Sequence, residues 1–223
     1  MIRGVLFDYS GTLFRLEPDP SWSEELIGVL TASTLVAEHL PRELAEGWAR
    51  RDLDPDLHRR VYLASLAASD LGLTPDAAVA AYERVLEPES WRPYPDTAAT
   101  LRRLRAANIP VAVVSNIPWD IRAVFRQYGV HDLVDEYVLS YVEGVMKPDP
   151  KIFLVACQRI GVAPADALMV GDSAEADGGA AAVGITTAII DHLPSEQRPD
   201  ALLSTLDIHG VTAVGGPTSS PGG

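Results

Sequence analysis

The chain has 223 residues, 47% of them hydrophobic, with 31 acidic against 18 basic side chains and a formal net charge of −13. That composition excludes a disordered chain, and without any local basic stripe the charge argues against a nucleic-acid or anionic-membrane partner. Cys157 is the only cysteine, so no intrachain disulfide is possible, and the short apolar N-terminal run resembles neither a signal peptide nor a membrane span; a cytoplasmic protein is expected.

Residues 3 to 9 read as a buried strand whose apolar run, Val5, Leu6 and Phe7, stops abruptly at Asp8, followed by Tyr9, Ser10, Gly11, Thr12 and Leu13. Taken alone, Asp-x-Ser-Gly is turn chemistry. At the carboxyl end of a strand in an open α/β sheet, the same residues are well placed to meet a ligand. From Phe14 to about Trp91 the apolar positions fall at helical spacings: Leu26, Ile27, Leu30, Leu35, Val36 and Leu40, then Leu44 and Trp48, then Leu57, Val61, Tyr62, Leu66 and Leu71. Pro41, Pro55 and Pro75 punctuate them, and Thr74-Pro75-Asp76 is a helix start signal. About four helices and no strand are predicted, forming an all-helical insertion over residues 15–90.

The prolines of Trp91-Arg92-Pro93-Tyr94-Pro95 keep that segment extended and mark the return to the main domain. Helix and strand then alternate: helix 96–107, strand 109–115, helix 118–128, strand 137–141, helix 149–160, strand 167–171, helix 174–183 and strand 185–190. This is the pattern of an α/β fold, a Rossmann-like parallel sheet with helices on both faces, built from residues 1–14 and 91–209. From residue 210 the chain is rich in Gly, Pro, Ser and Thr with little to bury, which predicts a disordered tail over 210–223.

Four strand ends carry polar groups: Asp8, Ser115-Asn116, Lys147-Pro148 in the loop after the third strand, and Gly171-Asp172 with Asp177 five residues on. Parallel strands would gather them on one edge of the sheet. Asp8, Asp172 and Asp177 would repel one another there unless cations compensate. A hard divalent ion, Mg²⁺, suits carboxylate and carbonyl oxygens, and Lys147, one of two lysines beside Lys151, offers a second positive charge.

On these residues the chain resembles the haloacid dehalogenase-like hydrolase superfamily. Its four motifs are similar to Val5–Leu13 (strand, then Asp-x-x-Gly-Thr), Val111–Asn116 (strand ending in Ser), Val145–Pro150 (Lys before a helix) and Gly171–Asp177 (Gly-Asp-x-x-x-x-Asp), and the insertion resembles its type 1 helical cap. The resemblance implies a Mg²⁺-dependent phosphatase of a small phosphorylated metabolite, with Asp8 as nucleophile. By the same resemblance Asp8, the Ser10 carbonyl and Asp172 are metal ligands, Ser115, Asn116, Lys147 and Thr12 hold the phosphoryl group, and Asp177 supports Lys147. One position departs: family phosphatases carry a second Asp two residues after the nucleophile, here Ser10, and a lost general acid costs roughly 10²–10⁴-fold.

An acid supplied by the cap or the substrate is one conceivable rescue. The alternatives are a dehalogenase, whose members have Tyr at position 10 and need no metal, and a non-catalytic phospholigand-binding protein on the same scaffold. Phosphonate-cleaving chemistry would need a cap lysine, and residues 15–90 contain none. The histidines 39, 58, 131, 192 and 209 lack zinc-ligand spacing. Trp22, Trp48, Trp91 and Trp119 read as packing residues, Trp119 being the one placed to touch the insertion.

Overall fold

The computed structural model describes residues 1–17, 40, 42–68 and 72–211. Its strands are β1 (Gly4–Phe7), β2 (Phe14–Leu16), β3 (Trp91–Pro93), β4 (Val111–Ser115), β5 (Glu136–Leu139), β6 (Ala167–Gly171) and β7 (Thr186–Ile189). The helices are α1 (Arg42–Trp48), α2 (Pro55–Ala68), α3 (Pro75–Leu86), α4 (Thr97–Ala106), α5 (Arg122–Gln127), α6 (Ser140–Glu143), α7 (Pro150–Arg159) and α8 (Ala201–Ile208), with short 3₁₀ turns between them. No helix among the described residues is long and apolar enough to cross a membrane.

Five strands form one sheet in the order β5-β4-β1-β6-β7, every neighbouring pair parallel. The side-chain period of two divides their apolar residues between two cores. Val5, Phe7, Val113, Leu139 and Val170 pack with Leu101 and Leu104 of α4, Phe125 of α5 and Leu202 and Leu206 of α8. On the other face Leu6, Ala112, Val114, Val138 and Met169 meet Ile152, Phe153 and Ala156 of α7. Both faces are therefore covered, as a parallel sheet requires. From β1 the chain runs to β4 and β5 on one side and then crosses to β6 and β7 on the other. The crevice at the carboxyl end of β1 is the switch point of the sheet.

The insertion is helical where it is described, with α3 opening at the expected signal: Thr74 Oγ1 accepts from the Ala77 amide at 3.2 Å, with Pro75 in the first turn. The expectation of no strand between Phe14 and Trp91 fails at the neck, where β2 pairs antiparallel with β3 in the register Phe14↔Pro93 and Leu16↔Trp91. A three-residue strand is too short to show a period, and its partner lies more than seventy residues away.

One helix start, one strand end and one helix type also differ from expectation. The expected helix from 118 begins at Arg122, the strand through 141 stops at Leu139, and residues 174–183 form a 3₁₀ helix over Asp177–Val183. Gly178 and Gly179 weaken the α-helical alternative there. Helix α8, unforeseen, buries Leu202 and Leu206 completely, a contribution of about 1.5–3 kcal/mol each. Of the tail expected over 210–223, Val211 is buried and its carbonyl accepts from Arg103 at 2.6 Å; residues 212–223 lie outside the described residues.

Candidate active site

Strand β1 delivers Asp8 to the switch point, its amide tied to the Val170 carbonyl of β6 at 2.9 Å. Tyr9 turns inward and is fully buried, its ring 4.7 Å from Trp91 and 5.4 Å from Phe14, so the residues on either side of it are left at the sheet edge. Gly11 makes the turn at φ +81, and a Cβ there would lie 2.1 Å from Asp172 Oδ2. Only glycine lets this turn approach the β6 end so closely. Arg198, itself 3% exposed, reaches back to donate to the carbonyls of Gly11 (2.6 Å) and Thr12 and stacks on Tyr94.

Lys147 occupies the centre of the floor. Its Nζ lies 2.6 Å from Asp8 Oδ1 and 2.6 Å from Asp177 Oδ1. Asp177 Oδ2 accepts the Ser173 amide at 2.9 Å, and Gly171 leaves room for it, since a Cβ at that position would sit 2.1 Å from the same oxygen. Burial by itself would lower the Lys147 pKa, but the two carboxylates outweigh it and the pKa rises. For Asp8 burial dominates and pushes the carboxyl up to about 7, with Asp177 and Asp172 adding to the rise against the pull of Lys147.

The ligand oxygens of Asp8, Asp172 and Asp177 lie within 4.8 Å of one another. Three carboxylates against one ammonium leave surplus negative charge on hard oxygen donors, which fits a divalent cation. Among the described residues Asp8 Oδ2 accepts no hydrogen bond, and the one basic group against Asp172 is the His192 imidazole, at 3.1 Å.

The floor opens into a cleft of about 540 Å³ lined by Asp8, Ser10, Ser115, Asn116, Lys147, Asp172 and Asp177 from the core and by Trp48, Arg51 and Asp52 from the insertion. Thr12 and Asn116, both expected to hold the phosphoryl group, are placed differently from one another. Thr12 does not line the cleft: the turn at Gly11 carries it inward to zero exposure. Asn116 lines the cleft, yet its amide clamps the main chain of Lys147, Nδ2 donating to the Lys147 carbonyl at 2.8 Å and Oδ1 accepting its amide at 2.7 Å. It therefore shapes the lysine loop.

Trp119 does touch the insertion, edge-on to His58 at 5.5 Å between ring centres. Sequence reasoning missed Arg198, His192 and Asp52, none of which sits in a spacing pattern. A larger hollow of about 780 Å³ lies at the other edge of the sheet, around Ile2, Pro110 and Val162, and the described residues bring no acidic cluster there.

A Rossmann-like sheet with an inserted helical segment and a carboxylate–lysine cluster at its switch point defines an α/β protein whose polar site lies at the carboxyl ends of its strands. The family model for haloacid dehalogenase-like hydrolases matches residues 2–184, and the chain belongs to that family; it is a hydrolase. It is 33% identical over 200 residues to the glyceraldehyde 3-phosphate phosphatase of Methanopyrus kandleri, covering 85% of this chain and 84% of that protein. It is also 26% identical over 199 residues to (S)-2-haloacid dehalogenase 4A of Burkholderia cepacia, covering 85% and 83%. Among solved structures it resembles a HAD phosphatase from Thermococcus onnurineus with a TM-score of 0.58 and 28% identity, over 96% of this chain and 100% of that one.

Proposed function

We propose that this hydrolase is a Mg²⁺-dependent phosphatase of small phosphorylated metabolites, working through an aspartyl-phosphate on Asp8 under a cap formed by the inserted helices. The observation that carries this reading is the asymmetry of the Asp8 carboxylate. One oxygen is fixed by Lys147 at 2.6 Å, and the other is unengaged among the described residues, facing a cleft beside two further carboxylates. A nucleophile needs that free oxygen.

The free oxygen attacks phosphorus, the substrate's alcohol departs, and water then hydrolyses the phosphoenzyme. Lys147 holds Asp8 in place and offers its charge to the phosphoryl oxygens, with Asp177 positioning Lys147 and the Ser115 hydroxyl available as a further donor. Bound by Asp8, the Ser10 carbonyl and Asp172, Mg²⁺ would supply the positive charge that phosphoryl transfer requires. The 33% identity to a glyceraldehyde 3-phosphate phosphatase makes that ester the first substrate to try.

The test is phosphate release from glyceraldehyde 3-phosphate, phosphoglycolate and ribulose 1,5-bisphosphate with Mg²⁺ and with EDTA, in native protein and Asp8→Asn. Mg²⁺-dependent turnover that vanishes in the variant is expected. Metal-independent halide release from a 2-haloacid would replace this reading with the dehalogenase, and binding of esters without turnover would replace it with a phospholigand-binding protein.

A further inference from the structure

An alcohol leaving phosphorus needs a proton as its P–O bond breaks, and a positioned general acid contributes roughly 10²–10⁴-fold. Ser10 has no group that titrates near neutral pH. Among the described titratable residues that line the cleft, Asp8 carries the phosphoryl group, Lys147 is locked between Asp8 and Asp177, Asp172 belongs to the acidic cluster, and Arg51 stays charged. Two carboxyls remain, Glu175 and Asp52. Glu175 is exposed in the turn between Asp172 and Asp177, the two carboxylates that cluster with Asp8 on the floor. Phosphoryl transfer runs with attacking and leaving oxygens roughly in line, so the leaving oxygen departs away from Asp8, toward the wall built by the insertion. Asp52 is the carboxyl on that wall.

We propose that Asp52 is a catalytic residue that protonates the leaving oxygen and then deprotonates the attacking water. This rests on the phosphatase reading above. As the Asp8–phosphorus bond forms and the P–O bond to the alcohol breaks, the Asp52 carboxyl proton passes to the departing oxygen and neutral alcohol leaves. The Asp52 carboxylate next takes a proton from the water attacking phosphorus, the electron pair of the Asp8–phosphate bond returns to Asp8, and inorganic phosphate leaves with Asp52 again protonated.

The geometry that supports this role ties the insertion to the core. Asp52 lies on the 3₁₀ turn Arg51–Leu53, and its carbonyl accepts the Ser140 hydroxyl of α6 at 2.5 Å. The same Ser140 oxygen accepts the Ile117 amide at 2.9 Å, two residues past Ser115. The turn is thus registered to the end of β4. Its side chain is 9% exposed, and its titratable neighbours among the described residues stand beyond hydrogen-bond range: the Arg51 guanidinium at 3.6 Å and the neutral His58 imidazole of α2, through Nε2, at 3.8 Å. α6 presents Ser140, its Glu143 being held by Arg159, and the opposite wall of the cleft presents Asp8 and Lys147. Burial raises the Asp52 pKa to about 6 against the pull of Arg51, the range a general acid near neutrality needs.

The experiment compares native protein, Asp52→Asn and Glu175→Gln in Mg²⁺ on two substrates. Glyceraldehyde 3-phosphate needs its leaving oxygen protonated; 2,4-dinitrophenyl phosphate does not. Asp52→Asn is expected to lose about 10²–10⁴-fold in kcat/KM on the first while releasing dinitrophenolate in a stoichiometric burst within about threefold of the native rate. Retained turnover of the alkyl ester by Asp52→Asn, or the selective loss appearing in Glu175→Gln instead, overturns the assignment. If Asp52→Asn fails on both substrates, Asp52→Ala with added formate decides: rescued alkyl turnover supports the acid role, and no rescue overturns it. Failure of the native protein on both substrates would instead remove the phosphatase reading, and this inference with it.

Discussion

Replacing Lys147 with methionine removes the ammonium that lies 2.6 Å from both Asp8 Oδ1 and Asp177 Oδ1. Lys147 is 3% exposed and Asp177 fully enclosed, so water cannot take over the lost interaction, and breaking such a buried pair costs about 3–5 kcal/mol. Two pairs are lost but the figure does not double, because Asp8 opens on the cleft and can rehydrate. For a chain of this size each kcal/mol is about 2–4 °C, so Tm measured in EDTA should fall by roughly 6–20 °C. The deficit should also depend on pH. Asp8, already raised to about 7 by burial, rises further without the ammonium, so the variant's folded state holds that proton where the native protein has released it. Stability then falls with rising pH in the variant relative to native, and the gap widens above about pH 7. Scanning calorimetry from pH 6 to 9 reads both effects. A Tm within about 2 °C of native at every pH would refute the claim that Lys147 balances the acidic floor.

Arg198→Met removes the bonds to the Gly11 and Thr12 carbonyls and the stack on Tyr94; a loss of about 2–4 kcal/mol in urea titration is expected, with kcat falling as the turn after Asp8 loosens. An unchanged urea midpoint would show that the clamp carries no stability. Gly11→Ala forces a Cβ to 2.1 Å from Asp172 Oδ2 at φ +81 and should weaken Mg²⁺ binding by about tenfold or more in titration calorimetry, a strain of 1–2 kcal/mol acting at a proposed ligand. His58 is held neutral, its pKa lowered to about 4, so it destabilises the fold as pH drops below about 6.5, whereas Asp52, raised to about 6, opposes that trend as pH drops from about 6 to 4. His58→Gln removes only the first effect and should gain up to about 3 kcal/mol on native between pH 7 and pH 4; a difference that does not change with pH refutes the neutral buried imidazole.

The floor of the site was legible because each part of it is local. An apolar run ending in a polar residue is visible within seven residues, and helix–strand alternation puts successive ends on one edge, which is where Asp8, Ser115, Lys147, Asp172 and Asp177 meet. Side-chain direction was less legible. Thr12 and Asn116 follow strand ends just as Asp8 and Ser115 do, and whether such a residue faces the cleft or the chain behind it depends on a turn at Gly11 and on a loop thirty-one residues downstream. The β2–β3 pair and helix α8 escaped for the same reason, since both are short and their partners distant.

The wall facing that floor could not be read at all, and the reason bears on its chemistry. Asp52 stands in a run of arginines and aspartates, Arg50 to Arg60, whose composition describes a solvated helix surface. It is buried because Ser140, eighty-eight residues away, fixes its main chain against the end of β4. A carboxyl enclosed with no side-chain partner nearer than 3.6 Å among the described residues destabilises a fold unless it stays protonated, and departures of this kind concentrate where a protein does chemistry. The sequence has one other departure at this site, a serine where the nucleophile loop of related phosphatases carries its acid. An acid missing from one wall and an acid buried against local expectation on the other line a single cleft. Sharing one cleft, the two departures support the proposal that the proton-transfer role absent at Ser10 is taken by Asp52.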